Sequence, residues 1–395
     1  MSAFAADWLN LLFRWGHVIV GVSWIGTSFY FIALDLGLRK RERMGAGVSG
    51  TAWQVHGGGF YHVEKYLVAP AGLPSELIWF RWEAYLTWTS GFALLVIQYY
   101  LQPHAYLIDP AVADIAPWTA IAISVASLAA GWLGYDRLLC RTAVGANPLA
   151  LAAAVFVLVI AATLLFQNVF SGRGALIHVG ALIGTIMAAN VFLVIIPNQR
   201  TITAALLVGT PPDPALGAMS KQRSVHNNYL TLPVLLLMVS NHYPMLAAHG
   251  QTWLVVALIL AMGASVRHLI NRHDAHDPVR RFIWALPVAI AALAAAVVLT
   301  APRSAPAADS ALVSDATALA IVTERCAGCH STTPSVAGYA SPPRGVVLTS
   351  IEDLRRQADP VRRQAVDSSA MPPGNLTAMT AGERAQLGAW IAAAQ

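Results

Sequence analysis

Seven stretches of this chain contain no Asp, Glu, Lys or Arg: 15–34, 84–108, 115–135, 142–172, 174–199, 224–266 and 282–302. A helix of about 20 apolar residues, rising about 1.5 Å each, crosses a hydrocarbon layer about 30 Å thick. The sixth stretch, 43 residues long, exceeds one span, and His242-Tyr243-Pro244 with His249-Gly250 divides it. Eight membrane spans are therefore expected. Only 11% of the 395 residues are charged, against about 25% in an average soluble domain. That scarcity excludes a disordered chain, a nucleic-acid-binding arm and a single water-soluble globule.

The charges between the gaps set an orientation. With the N-terminus outside, the loops expected in the cytoplasm (36–83, 136–141, 200–223 and 267–281) hold fifteen Lys and Arg. The opposite loops hold one, Arg173. Such asymmetry places the basic loops inside and returns the C-terminal end to the periplasmic side of a bacterial inner membrane. The first span has no basic leader or cleavage site and reads as a retained helix. The basic loops set topology, with anionic lipid of the bilayer as a further partner.

Residues 301–311, Ala-Pro-Arg-Ser-Ala-Pro-Ala-Ala-Asp-Ser-Ala, read as a linker between a membrane domain (1–300) and a soluble module (312–395). The module contains Cys326-Ala-Gly-Cys329-His330, the CxxCH attachment sequence of a c-type haem. Two thiols one turn apart reach the two vinyl groups, and the adjacent His330 serves as an axial iron ligand. Met371, opening the stiff Met-Pro-Pro-Gly run, is preferred over Met379 as the second axial ligand, and a thioether there raises the potential. Met379 lies beside a capping box, Thr380-Ala-Gly-Glu383. Helices are expected over 312–325 and 381–394, with Trp390 on an apolar side. A zinc site would need further Cys or His ligands, and His330 is the last His after 276. A redox CxxC would need a βαβ frame. The fold expected is thus all-α: an eight-helix transmembrane bundle followed by a small class I cytochrome c-like domain.

Several membrane residues suggest chemistry beyond anchoring. Arg14 and His17 share a helix face with Gly21, Trp24 and Ser28. An intramembrane Arg needs a polar cavity unless it snorkels to the surface. His178 opens the fifth span at a similar depth to His17. The sixth span begins His226-Asn227-Asn228-Tyr229 and ends at Asn241-His242. A haem b held by His17 and His178 is one possibility; hydrogen-bonded packing histidines are the other. The loop 36–81, with His56-Gly-Gly-Gly-Phe-Tyr-His62, reads as a re-entrant or interfacial segment or as an amphipathic surface loop.

Taken together, His226-Asn-Asn-Tyr-Leu-Thr-Leu-Pro233, Ser240-Asn-His-Tyr-Pro244, Trp15-Gly-His17, Gly21-Val-Ser-Trp24 and the fused CxxCH module resemble the membrane-bound bacterial urate oxidases of the PuuD type. The resemblance covers nearly the whole chain. It implies oxidation of urate to 5-hydroxyisourate with water as oxygen source and no hydrogen peroxide. Electrons would pass through the haem to a soluble or membrane cytochrome c or terminal oxidase. Under it, Arg14 is the candidate anion partner and His17, His178 and His226 are candidate bases. Asn227, Trp24 and His242 are candidate substrate contacts. Two other classes remain open: a haem-bearing electron-transfer subunit of a respiratory complex, and a transporter with a redox-controlled gate.

Overall fold

The computed structural model describes residues 3–66, 74, 76–247, 250–301, 313–336, 339 and 341–393. The expected linker lies outside the described residues apart from Ala301. The described chain is mostly helical. Its principal helices are α1 (Ala3–Gly37), α2 (Trp82–Leu95), α3 (Pro117–Leu133), α4 (Pro148–Gln167), α5 (Gly172–Ala189), α6 (Ile196–Leu207), α7 (Pro214–Val239), α8 (Thr252–Asp274) and α9 (Ala285–Thr300). Beyond them come α10 (Asp315–Arg325) and α11 (Ala381–Ala393).

Local sequence explains where these helices start. Pro148 and Pro214 occupy first-turn positions, where a missing N–H costs nothing. Asn147 accepts from the amides of Leu149 and Ala150 at 3.0 and 3.1 Å. Asp213, Ser171 and Ser314 cap α7, α5 and α10 in the same way. The break expected near 242 is present. Helix α7 ends at Val239, a 3₁₀ turn covers Ser240–His242, and α8 begins at Thr252. Inside α7, Pro233 packs on Gly263 of α8, where an added Cβ would lie 2.6 Å from the proline Cδ. That contact fixes how closely the two helices approach.

Among the described residues, five helical segments have the length and apolarity to cross a membrane: Trp8–Gly37, Pro117–Cys140, Pro148–Gln167, Gly172–Leu207 and Thr252–Asp274. The other charge-poor stretches give shorter or more polar helices. Helix α9 has 16 residues. Helix α2 has 14 and carries Glu83, Thr87, Thr89 and Ser90 before a π-helical turn at Val96–Tyr100.

One expectation fails outright. The loop 36–81 contains an antiparallel hairpin, β1 (Val48–His56) and β2 (Gly59–Tyr66), so the described chain is not all-α. Gly57 and Gly58 have φ of +58° and +81°, the two left-handed positions that a tight two-residue hairpin turn requires. The glycine run therefore makes a turn. Trp53 pairs with His62, their rings 4.5 Å apart. The hairpin is tied to the helices by paired backbone hydrogen bonds between Arg39 and Thr51, by Tyr30 Oη donating to Gln54 Oε1, and by the Lys65–Asp35 ion pair.

Among the described residues, the two larger of three buried clusters organise the chain. The larger joins α2 to α5, α7 and α8 through residues such as Leu176, Leu182, Ile186 and Val255. The smaller joins α10 and α11 through Ala318, Val322, Leu387 and Trp390, and shares no residue with the first. Trp390 Nε1 donates to Asp315 Oδ1 at 2.8 Å, so the indole that fills this core also clasps the start of α10. The two parts meet at Gly374, where an added Cβ would lie 2.5 Å from the His104 carbonyl oxygen and 2.7 Å from that of Ile108.

Candidate functional site

A cavity of about 980 Å³ lies where the two parts meet, lined from both sides. At one end are Cys326, Cys329, His330 and Met371. Helix α10 ends at Arg325, and the next turn presents the two thiols, with the amide of His330 bonded back to the Cys326 carbonyl at 2.9 Å. His330 Nδ1 lies 2.9 Å from the Val346 carbonyl oxygen, so it carries the proton and Nε2 keeps its lone pair. That is the arrangement by which proteins orient a ligating imidazole. Met371 lines the same cavity, whereas Met379 is 3% exposed and packs in the smaller core. Arg384 braces the Met371 loop by donating to the Met371 carbonyl at 2.8 Å.

These residues fit a c-type haem. Apolar side chains of Val346, Leu348, Val361 and Leu376 line the space beside the thiols. Both cysteines are free. Burial pushes the Cys326 thiol up to about 11 and raises the Cys329 thiol as well. Zinc-binding and redox cysteines instead sit where the thiolate is favoured. No cluster of three or more metal-binding side chains occurs among the described residues.

At the other end of the cavity are Arg14, His17, Trp24 and His242. Arg14 is held by Asn10 Oδ1 at 3.2 Å and Gln98 Oε1 at 3.1 Å. These neutral acceptors orient the guanidinium without neutralising it. His17 Nδ1 lies 3.0 Å from both the Thr87 carbonyl oxygen and Ser90 Oγ. Ser90 spends its own proton on Leu86 O at 2.5 Å. His17 therefore donates from Nδ1 and keeps Nε2 as a proton acceptor. Gly91 makes room for the ring: an added Cβ would lie 2.9 Å from His17 Cε1.

The lining is mostly apolar, and its charged side chains are all cationic. Five arginines contribute to it (Arg14, Arg173, Arg325, Arg344 and Arg363) and no acidic residue does. Arg325 is neutralised by Glu383 and Glu324 at 2.9 and 3.1 Å. The other four form no ion pair with any described residue. Unpaired guanidiniums around an apolar cleft favour anions, carboxylates and planar oxyanions above all.

The remaining candidates lie elsewhere. His178 is fully buried in a closed chain: Tyr100 Oη donates to Ser124 Oγ (2.6 Å), which donates to His178 Nε2 (2.7 Å), while Nδ1 donates to Gly174 O (2.6 Å). Both its nitrogens are used, and it does not share the cavity with His17. His226 and Asn227 belong to a second buried polar layer. There His226 Nδ1 accepts from Tyr135 Oη at 2.6 Å, and Asn190 Nδ2 donates to Tyr135 Oη at 3.1 Å and to Asn227 Oδ1 at 3.0 Å. Below them, fully buried Asp136 takes Arg223 at 2.7 Å and Arg141 at 2.8 Å.

Sequence reasoning passed over Thr87, Ser90, Gln98 and Gly91, which all sit on α2 or the turn after it and position Arg14 and His17. It also passed over Arg173 as a site residue, although that was the one basic residue on the outer side. That exception to the charge asymmetry was the available signal.

Comparison with curated proteins and with solved structures returned no match. The urate oxidase N-terminal family matches residues 3–301, three quarters of the chain, ending where α9 ends. This chain belongs to the urate oxidase N-terminal family.

Proposed function

We propose that this protein is an integral membrane urate oxidase of the PuuD type that converts urate to 5-hydroxyisourate, with its C-terminal module a cytochrome c. The observation that carries the reading is the shared cavity, in which Arg14 and His17 line the same space as the CxxCH cysteines, His330 and Met371. A substrate site that opens directly onto a redox group suits an oxidase that hands on electrons. Family membership supplies the substrate class.

The balanced reaction adds the oxygen of one water to urate and releases two protons and two electrons. Urate is a monoanion near neutral pH, and the Arg14 guanidinium, fixed by Asn10 and Gln98, binds its anionic edge. His17 Nε2, unprotonated because Nδ1 is tied to Thr87, takes a proton from urate or from the attacking water. Trp24 walls the space with a flat apolar surface, and His242 supplies a further polar contact. Arg173 and Arg344 keep the approach positive. Cys326, Cys329, His330 and Met371 would hold a haem c, which would supply one-electron acceptance beside the substrate space. No haem b enters this reading.

Eight crossings with both ends periplasmic are part of the proposal. The module packs near Arg173, on the face almost free of basic residues, as a haem attached outside the cytoplasmic membrane requires. From there electrons pass to a soluble or membrane cytochrome c or a terminal oxidase. The test is anaerobic addition of urate to the purified oxidised chain. Appearance of the reduced haem c bands is expected; correctly folded, haem-loaded protein that stays oxidised overturns the reading.

A further inference from the structure

The hairpin stands against the end of α1 in a way that sets its depth. Thr51 of β1 bonds to Arg39, just past the end of α1 at Gly37. Three residues further along β1, Gln54 Oε1 accepts from Tyr30 Oη at 2.5 Å, seven residues back inside α1. On β2, Lys65 pairs with Asp35. Moving along β1 away from Thr51 is thus moving back up α1. Seven helical residues rise about 10 Å, and three strand residues advance about as far. Gln54 therefore lies level with Tyr30, inside the charge-free stretch 15–34. The turn at Gly57 and Gly58 lies beyond Gln54, past two further strand residues or about 7 Å.

The two faces of the hairpin differ. Gln54 and Lys65, on one face, reach α1. On the other stand Trp53 and Val55, with Phe60 across from Val55 and His62 across from Trp53. Trp53, Val55 and Phe60 are 59%, 67% and 76% exposed. An apolar face left this open marks an interaction surface. Tyr30 and Phe31 of α1 are exposed at the same level, where a spanning helix meets lipid rather than water. Aromatic side chains gather at the boundary between headgroups and acyl chains. The hairpin has open backbone edges, which hydrocarbon does not tolerate, so the boundary suits it and the bilayer core does not. Lys40, Arg41 and Arg43, with Glu42 among them, are exposed between α1 and β1. They lie at the base of the hairpin, where a cationic segment meets anionic headgroups.

We infer that the hairpin is a membrane-interface anchor. Trp53, Val55 and Phe60 seat in the headgroup boundary of the leaflet where α1 ends, and Lys40, Arg41 and Arg43 meet its anionic lipid. The inference rests on the proposed crossing of α1, and the proposed topology makes that leaflet the cytoplasmic one. The helix that carries Arg14 and His17 is then held at its far end by the bilayer itself.

The test uses full-length, haem-loaded protein with Cys140→Ser, in which the haem takes up Cys326 and Cys329. A single new thiol is introduced by Phe60→Cys or, as the control, by Ala46→Cys, exposed in the turn before β1. Each is labelled with the fluorophore NBD and placed, one chain per nanodisc, in phosphatidylethanolamine and phosphatidylglycerol. At 60, emission is expected at a shorter wavelength than at 46. Quenching by lipids brominated near the headgroup is expected to be severalfold stronger there, and quenching by aqueous iodide severalfold weaker. Val55→Cys, on the same face, is expected to behave as 60 does. Iodide quenching at 60 and 55 equal to that at 46 overturns the inference. Shielding from both quenchers, the sign of a protein cover, overturns it too. In phosphatidylcholine alone the lipid quenching at 60 is expected to fall, and no change overturns the part given to Lys40, Arg41 and Arg43. Sidedness is read separately. In intact spheroplasts Ala46→Cys is expected to react with a membrane-impermeant maleimide only after permeabilisation. Reaction before it, with the lipid signature kept at 60, keeps the anchor and overturns the inward placement of the basic loops.

Discussion

His17 Nδ1 lies 3.0 Å from the carbonyl oxygen of Thr87, a contact between α1 and α2 that decides which ring nitrogen is free. Because the carbonyl can only accept, Nδ1 must donate, and the base is Nε2. His17→Ala is expected to lower kcat for urate-driven haem reduction by about 10²- to 10⁴-fold, the range of a lost general base. Haem content is expected to stay at the wild-type level. His178→Gln is the contrast: His178 is closed in hydrogen bonds to Ser124 and Gly174, so its loss is expected to lower thermal stability while turnover of the folded fraction persists. Single-turnover haem reduction, normalised to haem, measures both.

Gly91 tests the position of the same imidazole rather than its presence. A Cβ there would meet His17 Cε1 at 2.9 Å, and the ring is the part free to move. Gly91→Ala is expected to displace the imidazole and cut kcat about tenfold, a cost of about 1.4 kcal/mol in the transition state. Gly134 has open space around it, so Gly134→Ala is expected to leave kcat unchanged. Stopped-flow reduction of both variants makes the comparison.

How much of this was legible before the coordinates depends on how local each signal is. CxxCH is a contiguous chemical requirement, and Cys326, Cys329 and His330 do line one cavity. Arg14, His17 and Trp24 share a helix face by spacing alone, and that face also lines it. Depth in a span misled for His178, which looked equivalent to His17. Depth says nothing of which way a helix is rotated, and α5 turns His178 onto Ser124 and Phe170 instead. The hairpin was obscured because its turn residues, Gly57 and Gly58, sit in a run of three glycines that also suits a flexible loop. Asp136 and Arg223 read as loop charges because they mark the ends of charge-free stretches. They are fully buried against each other, a pairing between residues 87 apart that no local pattern announces.

The two methionines of the module separate ligand from core. Met371 lines the same cavity as His330, while Met379 is 3% exposed among Leu387 and Trp390. Met371→Leu is expected to lower the reduction potential, because a thioether ligand favours ferrous iron. It is also expected to abolish the near-infrared band of sulfur-ligated ferric haem. Met379→Ala is expected to cost about 2–5 kcal/mol of module stability through the cavity it leaves, with the potential unchanged. A redox titration of each variant, followed in the haem bands, distinguishes the roles.

Glu383 links the module's stability to pH. Burial alone would raise its carboxyl, but Arg325 at 2.9 Å and hydrogen bonds from Thr380 outweigh that and hold it below the ordinary glutamate value. A depressed folded-state value means the folded form binds this proton less readily than the unfolded chain does. Its stabilisation is therefore complete above the unfolded value of about 4.3 and is lost as pH falls through the lower folded one. Glu383→Gln keeps the reciprocal cap with Thr380, in which the Glu383 amide donates to Thr380 Oγ1 at 3.2 Å. It removes the charge and the Oε1 acceptor that answer Arg325, because the one amide oxygen that remains stays with Thr380. The Tm of the variant is expected to fall below wild type by a constant amount from pH 7 to about pH 5.5. Below about pH 4 the two curves are expected to draw together, meeting once the pH has fallen through the lowered folded-state value and the wild-type carboxylate is protonated as well. Parallel curves down to pH 3 would show that the carboxylate charge at 383 does not hold α11 to the end of α10.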